Sequence, residues 1–266
     1  MAPARPVVWI TGASSGIGEA LARRYARAGA ALVLSSRREA ELQRVAATCP
    51  GVPVHIVPLD LGIPETMADA AARAIAHAGR IDVMVHGAGI GQRATAVDTA
   101  YAVDDLMMRT NYLGPVALTK ALLPHMIARR RGHFVVVTSV LGRVGMPTRS
   151  AYCASKFALD GFFRALRLEV ASDGIDVTIV MPGFIRTNIA RNALTGDGRP
   201  AATDDPDIVK GMSPEACADR ICAAASARRR DVYVGGVKER AALLANRWAP
   251  RVLESILQAR VRRNER

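Results

Sequence analysis

Along the chain, short runs of consecutive apolar residues alternate with longer stretches whose apolar positions recur every three or four residues. The runs at 7–11, 31–35, 54–58, 82–86, 133–139, 176–181 and 231–235 predict seven strands. Most are almost continuously apolar, as strands covered on both faces must be. The periodic stretches predict helices through Arg27 (with Gly29 as its stop) and over 39–47, 65–77, 103–130, 149–172 and 213–227. Ser213 as N-cap and Pro214 at the first helical position open the last of them. Strand–helix alternation repeated this often predicts an α/β fold, a doubly wound parallel sheet of about seven strands with helices on both faces. Ligands bind such sheets at the carboxyl ends of the strands.

Two stretches break the rhythm. Residues 192–207 are rich in Gly, Pro and Asp and predict a lid near 188–212. Beyond a catalytic domain spanning 1–236, residues 237–266 predict a basic amphipathic helical tail. In it Leu244, Trp248, Val252 and Ile256 recur every four residues, with Arg247, Arg251, Arg260, Arg262 and Arg263 around or beyond them. Pro250 breaks the tail in two or begins its second helix. An apolar stripe with a basic flank fits an interfacial helix on anionic lipid, and equally a helix packed on its own domain or across a homodimer.

Composition narrows the class. Half of the 266 residues are hydrophobic and 23% are charged, which excludes a disordered chain. The net charge is +12, of which +7 falls between Arg228 and Arg266. The four cysteines, at 49, 153, 217 and 222, have no paired-ligand spacing, so neither a metal site nor a disulfide scaffold is expected. No apolar run is long enough to span a bilayer, and no signal core precedes the first strand. The expected location is cytoplasmic, peripheral at a membrane if the tail docks there.

Candidate chemistry begins at the first strand–helix junction, Thr11-Gly12-Ala13-Ser14-Ser15-Gly16-Ile17-Gly18. The turn there must be sharp and must approach a pyrophosphate closely, which glycine permits. The helix N-terminus then offers N–H groups and a positive dipole end to the phosphates. At the second strand's end no acidic residue is placed to bind a ribose diol. Arg37 and Arg38 stand there instead and suit a 2′-phosphate, or else begin a solvated helix. The expected cofactor is therefore NADP(H), with NAD(H) second.

Tyr152 and Lys156 are four apart on a predicted helix, hence on one face. A free tyrosine holds its proton with a pKa of about 10. A nearby ammonium lowers that value and makes Tyr152 a general acid–base near neutral pH. Ser139 closes the fifth strand, either as a cap or as a hydroxyl facing a substrate oxygen. Asn111 lies in the long predicted helix, where asparagine forms helix poorly. It opens that helix locally and holds a water beside Lys156, or it is a surface residue.

Taken together, Thr11-Gly-x-x-x-Gly16-x-Gly18, Asp60, Asn111, Ser139, Tyr152-x-x-x-Lys156 and Pro182-Gly183 followed by Thr187 resemble the short-chain dehydrogenase/reductase family over nearly the whole chain. The resemblance implies a single-domain Rossmann-type fold. It implies that Tyr152 gives or takes the proton, that Ser139 orients the substrate oxygen, and that Asn111 supports a proton relay. Lys156 would hold the nicotinamide ribose and lower the Tyr152 pKa. Gly12, Ser14, Ser15, Gly16, Ile17, Gly18, Leu61, Ala88, Gly89, Pro182 and Gly183 would line the cofactor, with Asp60 at the adenine and Ile185 and Thr187 at the carboxamide. Where members carry Asn-Asn-Ala-Gly, this chain has His86-Gly87-Ala88-Gly89, and His86 reads as a packed strand-end residue. The segment Tyr152–Phe163 and the tail are similar to the membrane-associated reductases related to 11β-hydroxysteroid dehydrogenase, which implies a small lipophilic substrate.

The leading expectation is an NADP(H)-dependent oxidoreductase that interconverts a lipophilic ketone or aldehyde and its alcohol, working as a homodimer or homotetramer. The alternative is an NADP(H)-binding regulatory or scaffold protein at a membrane surface. Nucleic-acid binding is not expected, because a single Trp248 accompanies the basic tail and no recognition motif does.

Overall fold

A computed structural model describes residues 5–264, with side chains through 259. In chain order it contains β1 (Val7–Thr11), α1 (Gly16–Arg27), β2 (Ala31–Ser35), α2 (Glu39–Ala47), β3 (Val54–Ile56) and α3 (Met67–Ala78). Then come β4 (Val83–His86), α4 (Tyr101–Met108), α5 (Gly114–Ala128), β5 (Gly132–Val137), α6 (Ser150–Glu169) and β6 (Ile175–Pro182). The chain continues through α7 (Pro206–Val209), α8 (Pro214–Ser226), β7 (Asp231–Val234), α9 (Val237–Trp248) and α10 (Pro250–Asn264). The strands form one seven-stranded sheet in the order β3-β2-β1-β4-β5-β6-β7. Every named pairing in it is parallel. This is the Rossmann-type doubly wound fold, and the step from β1 to β4 is its switch point.

The two-residue period of β1 divides the core. Val7 and Trp9 join α3, α5 and α6 on one face, while Val8 and Ile10 join α1, α2 and α8 on the other. Each such fully buried side chain stabilises the fold by about 1.5–3 kcal/mol. The indole Nε1 of Trp9 is satisfied by Ser35 Oγ at 2.8 Å.

Two expectations change. The single helix expected over 103–130 is two helices joined by a π-helical turn, Arg109–Leu113. The fifth strand ends at Val137, so Ser139 lies two residues beyond it and caps the short turn Val140–Gly142. Within or beside the segment expected as a lid, Leu194 bridges Gln92 and Pro200, and Ile185 bridges Met212.

The tail lies against its own domain. Leu253 is buried with Val140 and Val144, and Leu243, Ala245 and Leu257 pack beside them. Asn246 Nδ2 donates to the Arg143 carbonyl at 2.8 Å. The predicted stripe points the other way: Leu244, Trp248, Val252 and Ile256 are 54–76% exposed. Arg260, Arg262 and Arg263 fall outside the described side chains. Among the described residues, no helix is long and apolar enough to cross a membrane.

Candidate active site

The site is assembled at the carboxyl edge of the sheet. Gly12 and Gly16 have φ of 71° and 57°, the left-handed region that glycine enters without penalty. Space also requires glycine here. A Cβ on Gly12 would lie 2.7 Å from Ala88 Cα, and one on Gly18 would lie 2.1 Å from the Gly12 carbonyl oxygen. One on Gly16 would meet the Thr187 methyl at 3.0 Å, so the loop after β6 lies directly over the turn. Ser15 is the N-cap of α1 and makes no side-chain capping bond. The N–H groups of the following turn thus face a cradle suited to phosphate. Thr11 Oγ1 accepts from Gly87 N at 3.2 Å and fixes the chain that leaves β4. The turn's shape and its uncapped helix end fit a dinucleotide pyrophosphate.

At the end of β2, Arg37 and Arg38 are both exposed. Arg38 Nη2 donates to Ser14 Oγ at 3.3 Å, which places its guanidinium beside the glycine turn. Asp60 Oδ1 accepts from Gly62 N at 2.8 Å and shapes the loop after β3. Leu61 is buried against α5, where a Cβ on Gly114 would collide with its carbonyl oxygen. Pro182 ends β6, Gly183 N bonds the Val234 carbonyl at 2.9 Å, and Ile185 is buried.

Lys156 is buried, and its Nζ donates to the Val137 carbonyl at 3.2 Å. That ammonium lies 5.9 Å from the centre of the Tyr152 ring. A Cβ on Gly89 would lie 3.2 Å from both Lys156 Nζ and Asn111 Oδ1, so a bare backbone is needed where these groups converge. Asn111 is fully buried within the π turn. Its Oδ1 accepts from Ile90 N at 2.9 Å, and its Nδ2 donates to Ile90 O and Ser155 Oγ, both at 3.0 Å. The surface reading of Asn111 is excluded. The extra residue of the π turn aims this amide out of the helix, a device common at functional sites.

Ser139 Oγ accepts from Leu141 N at 3.1 Å and also lies close enough to the Tyr152 phenol to favour its ionised form. The cap and the site-facing hydroxyl are therefore one and the same group. Burial pushes the Tyr152 pKa above its usual value, and the Ser139 hydroxyl only partly offsets this. A buried phenol loses more hydration than its neighbours return. Burial also lowers Lys156 to about 8. His86 is a packed residue as read. It bonds Thr119 Oγ1 at 2.8 Å, stacks near Phe134 and Phe163, and is held neutral by burial, its pKa about 3.

Sequence reasoning missed Ile90 and Ser155, whose backbone and hydroxyl lock Asn111, and the role of Arg149. Arg149 stands just before α6, near enough for its charge to act on Tyr152. Apolar side chains of Ile90, Val103, Met107, Ala151 and Leu194 pack around Tyr152. All four cysteines are buried and free.

A dinucleotide cradle at the switch point, with a tyrosine, a lysine, a serine and an asparagine converging at the same strand ends, defines a Rossmann-type oxidoreductase. The family model for short chain dehydrogenase matches residues 6–197. The dehydrogenase/reductase SDR family member 7B of Xenopus laevis is 43% identical over 266 residues, covering 97% of this chain and 82% of its own. The chain belongs to the short-chain dehydrogenase/reductase family, a family of oxidoreductases. A short-chain dehydrogenase from Sphingobium yanoikuyae in complex with NADPH superposes with a TM-score of 0.77 at 28% identity, covering 96% of this chain and 95% of that one. A member from Burkholderia phymatum in complex with NAD, 24% identical, shares the fold with a TM-score of 0.79 over 91% of each chain. The same fold thus carries NADPH in one of these proteins and NAD in the other.

Proposed function

We propose that this protein interconverts a lipophilic ketone or aldehyde and its alcohol with NADP(H), with Tyr152 as general acid–base. The observation that carries the reading is that Lys156 and Asn111 converge at Gly89, with the Tyr152 ring 5.9 Å from the lysine Nζ and Ser139 acting on its phenol. A pure binder has no use for all four. The bound nicotinamide would supply or accept the hydride. Tyr152 holds the proton that the carbonyl oxygen receives on reduction, and Ser139 orients that oxygen. Lys156 presents a positive charge between the Val137 carbonyl and the site, and Asn111 fixes the backbone at Ile90 for a proton relay. Gly12 to Gly18, Ala88 and Gly89 cradle the nucleotide, with Asp60 at its adenine and Ile185 and Thr187 at its amide end. The apolar group around Tyr152 supports a lipophilic substrate. The test is NADPH consumption with a panel of apolar ketones, aldehydes and steroids. Bound NADPH with no turnover on any of them would instead favour a regulatory binder.

Arg37 and Arg38 support NADP(H) over NAD(H), since two exposed guanidinium groups stand where an acidic residue would select the ribose diol. Arg37→Ala is expected to weaken NADPH binding by about 1.5–3 kcal/mol, the worth of a hydrogen bond to a charged group. NADH binding should stay within twofold, as read by fluorescence titration. Equal losses for both nucleotides would remove the assignment.

The tail supports docking on an anionic membrane through the face its own domain leaves open. Leu244, Trp248, Val252 and Ile256 are exposed there beside exposed Arg240, Arg247 and Arg251. A truncation would uncover Val140 and Val144, so substitutions on the open face are the cleaner probe. Trp248→Glu combined with Ile256→Glu is expected to reduce co-sedimentation with phosphatidylserine-containing vesicles at least tenfold, with an unchanged melting temperature. Pelleting like the unaltered protein would refute docking. Exposed Leu113 and Phe157, on the π turn and α6, support a homodimer or homotetramer.

A further inference from the structure

The apolar side chains packed with Tyr152 suit the body of a lipophilic substrate but offer nothing to a polar end. Near Tyr152, on which the charge of Arg149 acts, the Nη2 atoms of Arg93 and Arg149 both lie against one oxygen, Asp205 Oδ2, at 3.5 and 3.4 Å. A well-made arginine–carboxylate pair is shorter, about 2.7–2.9 Å. Two positive charges thus share one carboxylate loosely. The other Asp205 oxygen is engaged elsewhere, accepting from Asp207 N at 3.0 Å to cap α7. The adjacent Asp204 pairs with Arg191 instead.

The arginines are held in place by their surroundings. Arg93 N donates to the Leu194 carbonyl at 2.7 Å, and Arg93 Nη1 reaches Thr203 Oγ1 at 3.4 Å. Arg149 Nη1 reaches the carbonyl and hydroxyl oxygens of Thr148 at 3.4 and 3.3 Å. The side chains of Arg149 and Asp205 are only 19% and 15% exposed. Arg149 lies one helical turn before Tyr152, and Leu194, beside Arg93, packs in the apolar group that contacts Tyr152.

We propose that Arg93 and Arg149 form an anion subsite that holds a carboxylate or phosphate group on the lipophilic substrate, with Asp205 keeping the place until the substrate displaces it. The proposal rests on the oxidoreductase reading, which it deepens: the substrate joins an apolar body to an acidic group. Two fixed guanidinium groups offer the parallel N–H donors that planar and tetrahedral oxyanions accept. Asp205 comes from the 188–212 loop, so its release couples binding of the acidic group to that loop.

The test uses binding, so that it stands apart from turnover. Octanoate, octyl phosphate and octanol are titrated into the full-length protein, with and without NADPH, by calorimetry. At least one of the two anions is expected to bind tenfold or more tighter than octanol, and the stronger anion identifies the group. The Arg93→Gln, Arg149→Gln double variant should lose this preference, and Asp205→Asn should strengthen anion binding at least threefold by removing the competing charge. Arg93→Lys and Arg149→Lys, which keep the charge but lose the paired donors, should fall between, with melting curves reporting any loss of fold. Octanol binding as tightly as both anions, an anion preference that survives the double variant, or weaker anion binding by Asp205→Asn would each overturn the subsite. Absence of ketone turnover alongside intact anion binding would count against the oxidoreductase reading and leave the subsite standing.

Discussion

Tyr152→Phe is expected to lower turnover by roughly 10²–10⁴-fold, the contribution of a positioned general acid–base. The variant removes one oxygen from a half-buried ring, and Phe fills nearly the same volume, so the packing against Met107 and Ala151 persists. NADPH affinity should change by no more than a few-fold and the melting temperature should hold. Direct fluorescence titration and a thermal melt run beside the NADPH-consumption assay make those checks. The loss should appear in kcat rather than KM, since the phenol acts on charge that develops during the reaction. In the reduction direction the proton is available across neutral pH, because burial holds the Tyr152 pKa above its usual value. The alkaline limb of the rate profile is then set by Lys156, whose charge is lost as pH rises through about 8. A variant that keeps full turnover would remove Tyr152 from the chemistry.

Lys156→Met is expected to do the opposite to fold and to function. The lysine is buried, and burial lowers its pKa from 10.5 to about 8. At ~1.4 kcal/mol per pH unit, carrying the charge at pH 7 costs the folded state about 3 kcal/mol. The hydrogen bond to the Val137 carbonyl returns about 1 kcal/mol of that. Met has a similar length and no charge, so the variant should be more stable at pH 7 by about 1–3 kcal/mol. The folded protein releases the proton near pH 8 and the unfolded chain near 10.5, so the unaltered protein gains stability as pH rises between those values. The advantage of the variant should therefore shrink above pH 8 and vanish near 10.5. Turnover should fall at least a hundredfold at every pH. Urea unfolding at pH 7 and pH 10 reads the first effect and the NADPH assay the second. A variant less stable than the unaltered protein at pH 7 would show that Lys156 is held for structure. Stability given up for a buried charge is the expected mark of a functional site.

Much of this was legible in the chain because it depends on local rules. Gly12, Gly16 and Gly18 announce a tight turn by their spacing and by their place after an apolar run. The i, i+4 spacing of Tyr152 and Lys156 places them on one helix face whatever the rest of the fold does. His86 was legible as a packed residue because it closes an apolar strand. Ser139 was legible as a hydroxyl near the site, yet the single sequence left two roles open that the same oxygen fills together.

The sequence by itself determined the doubly wound sheet, the phosphate turn and the pairing of Tyr152 with Lys156, since periodicity and glycine geometry act over a few residues. Only the tertiary structure decided what depends on groups distant in the chain. The π turn exists because the Asn111 amide finds both backbone groups of Ile90, twenty-one residues away. The direction of the Tyr152 pKa follows from the desolvation of its phenol in the folded chain, which no spacing reports. Arg93, Arg149 and Asp205 meet although the last is 56 residues beyond its nearer partner. The tail's apolar stripe reads in sequence as docking on lipid or on protein alike, and the face that packs is the one carrying Leu253, because Val140 and Val144 lie beneath it. Desolvation and long-range ion pairing are properties of the assembled surface, and they decide which of the locally permitted readings the molecule adopts.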